Sequence, residues 1–433
     1  MGVRPRRSTS PRPLLRAVPL AVLCAIVVAA LVARRTAHRS DQVTTTQATT
    51  RVTTPGARSD AGAFDAPLRG PSPPPKADVV PGAPRTLHGG PRRAHRSAAR
   101  GPTTADKQAW RARVDGPVAA QVTASPDEST LYVATLSGSV VALAREDGAQ
   151  RWSVPLGERV YATPLVHEDG TIYVGTDAKK LVALSPKGAV VFRLETEGEA
   201  DTAPVLAKDG TIVFAAGRDV LAVRRGGDIA WRFTAKNKVF TAPAITEDGL
   251  VVVGSQDDHV HAIGTGGTVV WTVDLGADVD GGPAISDDGS IYVGTDAGDV
   301  VKLDAKGHIA WRTAVGGFVR GSLSVARNGD VLAGTYGPVP RVVRLSPEGA
   351  IVGAFAIRGT GAREFGIHGG PLEDDDGVLY FGAQDDAAYA IAPDGALRWR
   401  FETGGDVDAP LSLLSDGSLI VPSEDGTVTL LLP

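Results

Sequence analysis

Six residues of unlike chemistry occupy one recurring position of the chain, three residues before a proline or the residue that replaces it. These slot residues are Tyr161, Asp201, Phe240, Asp280, Arg320 and His368. Two acids, a guanidinium, an imidazole and two aromatic rings are groups that fix a polar ligand or a peptide. The neighbouring positions repeat almost unchanged, so packing explains them but leaves this slot unexplained. We therefore predict that the slot residues form a binding site.

A second irregularity is one repeat that is longer than the others. About eight residues are added between Ala350 and His368, and the added loop contains Arg363, Glu364 and Phe365. Loops held on a rigid scaffold often carry binding residues. We predict that these three side chains are further contacts beside His368.

Neither a nucleophile with its base nor a metal-binding motif can be assigned in the sequence. Four acidic turns recur, Gln256-Asp257-Asp258, Thr295-Asp296, Gln384-Asp385-Asp386 and Glu424-Asp425-Gly426. A calcium loop needs several oxygen ligands in one short segment, whereas hairpin tips favour Asp and Gly for backbone reasons. We interpret the turns as hairpin tips and expect no catalytic residue, no cofactor and no metal ion.

The elements that must position these residues are repeats of about forty residues. Asp-Gly or Asn-Gly precedes an apolar, mostly β-branched run at Gly170, Gly210, Gly249, Gly289, Gly329, Gly377 and Gly417, with steps of 40, 39, 40, 40, 48 and 40 residues. Each repeat contains four short strand-like segments separated by turn residues. Four antiparallel strands per forty residues predict one blade of a β-propeller.

A second word of each repeat, Gly-x-x-x-Trp, falls on the predicted fourth strand. Its aromatic residues are Trp110, Trp152, Phe192, Trp231, Trp271, Trp311 and Trp399. Because large aromatic residues at one repeated position bury extensive surface, we predict that they pack between neighbouring blades.

The two ends of the repeat region predict how the propeller closes. Trp110 occupies a fourth-strand position with no first three strands before it, and residues 409–432 supply three strands with no fourth. An N-terminal strand that completes the last blade would remove two unpaired sheet edges. The sequence thus predicts an all-β, eight-bladed propeller over residues 106–433, closed by this strand.

The pattern around Ala183-Leu184…Gly188 and Leu303…Trp311 resembles the pyrroloquinoline-quinone-type propeller repeat. The resemblance covers residues 106–433. It implies either a quinone-dependent alcohol or sugar dehydrogenase with calcium, or a cofactor-free propeller such as those that assist outer-membrane assembly. Alcohol dehydrogenases of this family generally cover the quinone with two adjacent cysteines, and this chain has only Cys24. The resemblance therefore favours the cofactor-free branch.

The N-terminal residues read as an export signal. Five arginines precede an apolar run over residues 17–33, and Arg34 and Arg35 follow. Residues 1–35 are thus a signal peptide or signal anchor with its N-terminus in the cytoplasm. We expect an uncleaved membrane anchor, because Arg34-Arg35 follow the only small-residue end of the run; cleaved secretion is the alternative. Residues 36–105, rich in Thr, Pro and Arg, are predicted to be a disordered linker.

Charge and architecture together favour a binding function outside the cytoplasm. Residues 1–109 carry a net charge of +13 and residues 110–433 carry −17, so nucleic-acid binding by the folded part is disfavoured. We expect a monomeric binding or scaffold propeller whose partner is an envelope protein or peptide. One alternative is a dehydrogenase with an atypical site for pyrroloquinoline quinone and Ca²⁺. Another is an extracytoplasmic ligand-sensing module.

Overall fold

The computed structural model describes residues 84–433. The predicted signal or anchor over residues 1–35 and the first part of the predicted linker, residues 36–83, lie outside the described residues. Within residues 84–433, none of the helical structure is long and apolar enough to span a membrane.

Eight four-stranded antiparallel sheets form the blades of one propeller, which confirms the predicted fold class. The innermost strand of each blade is short: β2 (Thr123–Ala124), β6 (Leu165–Val166), β10 (Val205–Leu206), β14 (Ala244–Ile245), β18 (Gly281–Ile285), β22 (Ser324–Val325), β26 (Leu372–Glu373) and β30 (Ser412–Leu413). The second strands are β3 (Thr130–Ala134), β7 (Ile172–Thr176), β11 (Ile212–Ala216), β15 (Val251–Gly254), β19 (Ile291–Gly294), β23 (Val331–Gly334), β27 (Leu379–Ala383) and β31 (Leu419–Pro422).

The third strands are β4 (Ser139–Ala144), β8 (Lys180–Leu184), β12 (Asp219–Val223), β16 (His259–Ile263), β20 (Asp299–Leu303), β24 (Arg341–Leu345), β28 (Ala387–Ile391) and β32 (Thr427–Leu431). The outer strands are β1 (Gln108–Arg113), β5 (Gln150–Pro155), β9 (Val190–Glu195), β13 (Ile229–Thr234), β17 (Val269–Asp274), β21 (Ile309–Ala314), β25 (Ile351–Ala356) and β29 (Leu397–Glu402). We number the blades 1 to 8 from β2–β5 onward, so that blade 8 contains β30, β31, β32 and β1.

Blade 8 joins the two ends of the repeat region. Its strand order is β1-β32-β31-β30, and Trp110 on β1 lies opposite Leu430 on β32. The strand from the N-terminal side therefore supplies the outer edge of the last blade, as the incomplete ends predicted.

The hydrophobic core lies between blades rather than within one sheet. Second and third strands are buried at nearly every position because both faces of each sheet are covered by neighbouring blades. Tyr173 and Leu181 of blade 2, for example, share one cluster with Phe214 and Leu221 of blade 3. The Asp-Gly turns that separate the first two strands place glycine at positive φ, such as +82° at Gly170, where a side chain is disfavoured.

The two words of each repeat meet across blades. Trp152 of blade 1 packs over Gly188 of blade 2, where an added Cβ would lie 2.9 Å from the indole, and its Nε1 donates to the Pro186 carbonyl at 3.0 Å. Glycine is required there both for its φ of +80° and for this close approach. The same pairing joins Trp110, Phe192, Trp231, Trp271 and Trp311 to the glycine of the following blade. Trp399 instead donates to the carbonyl of Pro102 at 3.0 Å.

The structure corrects the C-terminal boundary of the predicted linker, because residues 84–105 are part of the folded unit. Residues 84–99, the plug, cross the end of the central channel at which the inner strands finish. Backbone amides of six blades donate to plug carbonyls: Ala124 to Pro84, Val166 to Arg85, Ile245 to Pro91, Ile285 to Arg92, Val325 to Ala94 and Glu373 to His95. Blades 3 and 8 are reached by Thr86, which donates to the Pro204 carbonyl at 2.7 Å, and by His95, whose Nε2 lies 3.1 Å from the Leu411 carbonyl.

Polar side chains rather than apolar ones anchor the plug. Arg93 is 1% exposed, and its guanidinium donates to the carbonyls of Leu87, Ala203, Pro204 and Pro243 and to the Thr86 hydroxyl. Burial lowers the pKa of Arg93 to about 9. His88 and His95 stack with ring centroids 4.0 Å apart, and burial holds the pKa of His88 well below its ordinary value and lowers that of His95 to about 4. Both imidazoles are therefore neutral at pH 7.

Candidate functional site

All six slot residues line one cavity at the channel end where the inner strands begin. Its volume is about 720 Å³, within the range of small-molecule and peptide-side-chain sites. Tyr161 and Phe240 are 41% and 40% exposed, although the aromatic residues that pack between blades are covered. The repeat slot that varies in sequence is thus a shared wall in space.

The cavity is closed at its other end by the plug. Leu87 forms part of the floor and packs against Ala203 and Ala242 on the inner sides of blades 3 and 4. The channel is therefore a cup with an apolar floor, polar walls and one mouth. We use the name cup for this cavity and its lining.

Carboxylates dominate the polar wall. Besides Asp201 and Asp280, the lining includes Asp278, Asp296, Asp408 and Glu424. Burial raises the pKa of Asp201 to about 6 and that of Asp280 to about 6, with smaller contributions from nearby acids. Beside the cup, burial and the neighbouring Asp408 and Glu424 raise the pKa of Asp406 to about 7. Ionised carboxylates in this wall are poorly solvated, and they repel one another.

Sequence reasoning missed four of these acids and Gln256. Asp296, Glu424 and Gln256 belong to turns that we interpreted as hairpin tips, but the structure places them in the cup lining. The turns between second and third strands lie at the same channel end as the slot residues, and this shared end was the available signal. Hairpin geometry and a contribution to the site are compatible, because the turn fixes the backbone while its side chains face the channel.

Arg320 is the one guanidinium of the cup lining, and its charge is already neutralised. Its Nε lies 2.9 Å from Asp296 Oδ1 and its Nη2 lies 2.8 Å from Asp296 Oδ2, and Nη1 also bonds Glu364 of the inserted loop. These two carboxylates raise the pKa of Arg320. Arg320 therefore organises the wall and contributes little free positive charge.

The inserted loop builds the rim beside Arg320. Arg363 lies 4.6 Å from the centre of the Phe318 ring, whose other cation neighbour is Arg320 at 5.0 Å. Phe365 is half-buried and packs on the core shared by blades 6 and 7, so it anchors the loop rather than facing solvent. Of the three predicted loop contacts, Arg363 and Glu364 are exposed at the rim.

His368 is held by a tyrosine that the sequence did not single out. Tyr336 Oη and His368 Nδ1 are 2.8 Å apart, and their rings meet edge to face. Burial raises the pKa of Tyr336 well above its ordinary value, so the phenol stays protonated. The phenol can donate to Nδ1, which leaves Nε2 as the other polar atom of the ring.

Asp278, Asp280 and Asp296 form the one group with spacing suited to a metal ion within residues 84–433. One carboxylate oxygen from each lies within 4.8 Å of the other two. Gln256 Nε2 bonds Asp280 at 3.2 Å, and Arg320 occupies Asp296, so two of the three ligands already have partners. The arrangement attracts a positive charge of any kind more clearly than it defines a coordination sphere.

Replacing Asp280 with Asn should stabilise the protein at alkaline pH. The folded-state pKa of about 6 exceeds the unfolded value, so the folded state binds more protons between about pH 4 and 6. The stabilising contribution of the protonated group is present below this range and is lost as pH rises through 6. At pH 8 we expect D280N to increase the unfolding free energy by about 1–3 kcal/mol, and at pH 4.5 by much less.

Thermal melts of D280N and wild type across pH 4.5–8 measure this difference directly. The buried histidines have shifts of opposite sign, but they contribute equally to both proteins and cancel in the difference. Asp228→Asn, at an exposed turn remote from the cup, is the matched control and should show no pH-dependent change. A constant difference between D280N and wild type at every pH would contradict the assigned cause.

Fold and site together define a closed eight-bladed β-propeller with a binding cup at one end of its channel. The family model described as outer membrane protein assembly factor BamB matches residues 101–169, 166–254 and 256–348, more than half of the chain. The chain belongs to this family of pyrroloquinoline-quinone-like propellers. Among curated proteins, none matches the sequence at significant similarity.

Solved structures with the same fold have diverse functions. BamB from Moraxella catarrhalis is 19% identical, with a TM-score of 0.60, and the match covers 75% of this chain and 97% of that one. A europium-containing methanol dehydrogenase is 12% identical, with a TM-score of 0.62, covering 79% and 89%. Sqt1 from Saccharomyces cerevisiae is 10% identical, with a TM-score of 0.64, covering 75% and 98%. At these identities the likeness concerns the fold alone.

Proposed function

We propose that the chain is a non-catalytic binding propeller of the cell envelope and that the cup is its recognition site. One observation carries the proposal: the six residues that differ among otherwise uniform repeats converge on one cavity with a single mouth. A scaffold alone needs the repeated positions and has no use for this variation. A binding site needs different groups at fixed points around its ligand.

The family and the N-terminal sequence support an envelope location. The matching family model is described as an outer-membrane assembly factor, which is a scaffold function. The arginine-rich start and the apolar residues 17–33 favour export, and we propose that an uncleaved anchor tethers the propeller outside the cytoplasm. An envelope protein or peptide is the partner that this placement makes available.

The structure supports recognition by a rigid, preorganised surface. The plug and the eight inner strands fix the floor, while Tyr336 fixes His368 and Asp296 fixes Arg320. Side chains already held in place lose little conformational entropy on binding. The rim formed by Arg363 and Glu364 extends the contact surface beyond the cup itself.

Affinity capture from envelope extract with the full-length protein tests the proposal. We expect wild type to retain a partner that the double variant Arg320→Ala/His368→Ala loses. The matched control, Arg225→Ala/His308→Ala, removes the same residue types from exposed turns at the plugged end and should retain it. Equal capture by all three proteins, each verified as folded, would exclude the cup as the recognition site.

A dehydrogenase is the second candidate, favoured by the acidic group Asp278, Asp280 and Asp296 and by the fold shared with methanol dehydrogenase. The residues fit a quinone with calcium poorly, because Arg320 already occupies Asp296 and the chain has no adjacent cysteines. Adding pyrroloquinoline quinone with Ca²⁺ should produce no absorbance change, no thermal stabilisation and no dye-linked oxidation of alcohols or sugars. A clear signal in any of these assays would favour the enzyme.

A further inference from the structure

One sector of the cup has a composition that the other sectors lack. Tyr161, Asp201 and Phe240 occupy the same slot on blades 2, 3 and 4, so a carboxylate lies between two aromatic side chains around the wall. Both rings are about 40% exposed, which is unusual for large apolar groups on a cavity wall. Thr202 and Thr241, next to two of these residues, donate to the Ala215 and Gly254 carbonyls at 3.0 and 3.1 Å and fix the backbone.

Asp201 is the carboxylate of this sector, and it has no partner from another side chain within residues 84–433. Asp296 is bound by Arg320, Asp280 by Gln256, and Asp408 by Gln384 at 3.1 Å, whereas nothing comparable reaches Asp201. Its nearest listed cation in electrostatic terms is Lys238, which is already paired with Glu199 at 3.0 Å. A largely enclosed acid without a counter-charge favours a ligand that brings one.

The two aromatic residues are positioned to take a cation. Arg159 lies 5.7 Å from the centre of the Tyr161 ring, and Lys238 lies 5.3 Å from the centre of the Phe240 ring. Both distances fall within cation–π range. The protein's own basic residues therefore already use these rings, and Arg159 is itself paired with Asp177 at 3.3 Å.

The charge of the whole cup selects the same kind of ligand. Six carboxylates line it against one guanidinium, Arg320, which Asp296 and Glu364 already neutralise. An anionic ligand would enter a negative potential, whereas a cation would be drawn in. The apolar floor at Leu87, Ala203 and Ala242 suits an aliphatic stem.

We propose that the cup binds an ammonium or guanidinium group on an aliphatic stem, with Asp201 as its charge partner and Tyr161 and Phe240 as its walls. This chemistry is shared by lysine and arginine side chains of a peptide and by free diamines. The inference rests on the proposed function of the cup and specifies the class of group that it recognises.

Calorimetric titration of the full-length protein distinguishes the two sources of this chemistry. The probes are the capped pentapeptide Gly-Gly-Lys-Gly-Gly, its Nε-acetylated twin, and 1,5-diaminopentane. We expect the lysine peptide to bind and its acetylated twin to bind at least about tenfold more weakly, since acetylation removes the charge. Binding of the diamine without the peptide would assign the site to small amines, and binding of the peptide would assign it to a protein segment.

Variants identify the residues responsible. Asp201→Asn should weaken binding of the charged probe about tenfold or more, and Tyr161→Leu or Phe240→Leu should weaken it about threefold. Asp228→Asn makes the same change of charge outside the cup and should have no effect. Affinity should fall about tenfold between pH 7.5 and pH 5, because Asp201 with a pKa of about 6 becomes protonated.

Two results would overturn the inference: equal binding of the lysine peptide and its acetylated twin, or unchanged affinity in a folded Asp201→Asn protein. Absence of binding by both charged probes at millimolar concentration would also overturn it. Each of these results leaves the proposed function standing if capture from envelope extract still depends on Arg320 and His368. Loss of that dependence would instead remove the proposed function itself.

Discussion

Arg93→Ala should lower the unfolding free energy by about 3–5 kcal/mol, although Arg93 is remote from the mouth of the cup. The side chain is 1% exposed and donates five hydrogen bonds to blades 3 and 4 and to the plug itself. Alanine would leave those four carbonyls and one hydroxyl without a donor in a buried site. It would also create a cavity as large as the lost side chain.

The adjacent residue provides a matched control. Arg92 forms ion pairs with Glu247 and Asp287 at 3.3 and 3.4 Å near the surface, so Arg92→Ala should cost less than about 1 kcal/mol. Arg93→Met, which restores volume without hydrogen-bond donors, should remain much less stable than wild type. Denaturant unfolding of the three variants measures the differences. Similar stability of Arg93→Ala and Arg92→Ala would show that the plug is only loosely attached.

The repeat architecture was predictable because it is written in local backbone chemistry. Glycine at positive φ after Asp or Asn ends one strand and starts the next, and the glycine before each Trp is matched to the indole of the preceding blade. Both requirements act within a few residues or between adjacent repeats. Copy-by-copy comparison therefore gave the blades, their closure and the six slot residues.

The plug was missed because nothing in its own composition requires it to fold. Residues 84–99 are polar and basic, and the usual rule assigns such a segment to a flexible linker. Their partners are backbone groups of inner strands, such as Ala124 and Glu373, which come together only when all eight blades have assembled. A segment stabilised by carbonyls and amides of distant repeats leaves no hydrophobic period in its sequence.

The acidic wall was missed for a related reason. Asp296 and Glu424 satisfy a local rule for hairpin tips, and that rule also explains them completely at the level of sequence. Their convergence with Asp278 and Asp280 depends on the ring, which brings loops from separate repeats to one channel end. The variable slot could be recognised only because its neighbours are uniform.

Removing residues 106–114 should abolish cooperative unfolding of the propeller. Strand β1 closes blade 8 against β32, and without it the β32 edge is unpaired and the ring is open between blades 8 and 1. The deletion also shortens the connection to the plug, so a single substitution is needed to separate the two effects. Trp110→Ala serves this purpose, because it leaves the backbone of β1 and its length intact.

Trp110→Ala should cost about 3–5 kcal/mol, because it empties the contact that joins the last blade to the first. The indole is 8% exposed, shares a cluster with Leu430 of blade 8 and Leu143 of blade 1, and its Nε1 donates to the Arg145 carbonyl at 2.7 Å. Trp231→Ala, at the same position of an internal blade but only partly buried, is the control and should cost about half as much. Since neighbouring repeats hold one another, loss at the closure affects every blade, whereas loss at an internal interface is shared by its intact neighbours. Equal melting temperatures for Trp110→Ala and wild type would show that blade 8 does not depend on β1.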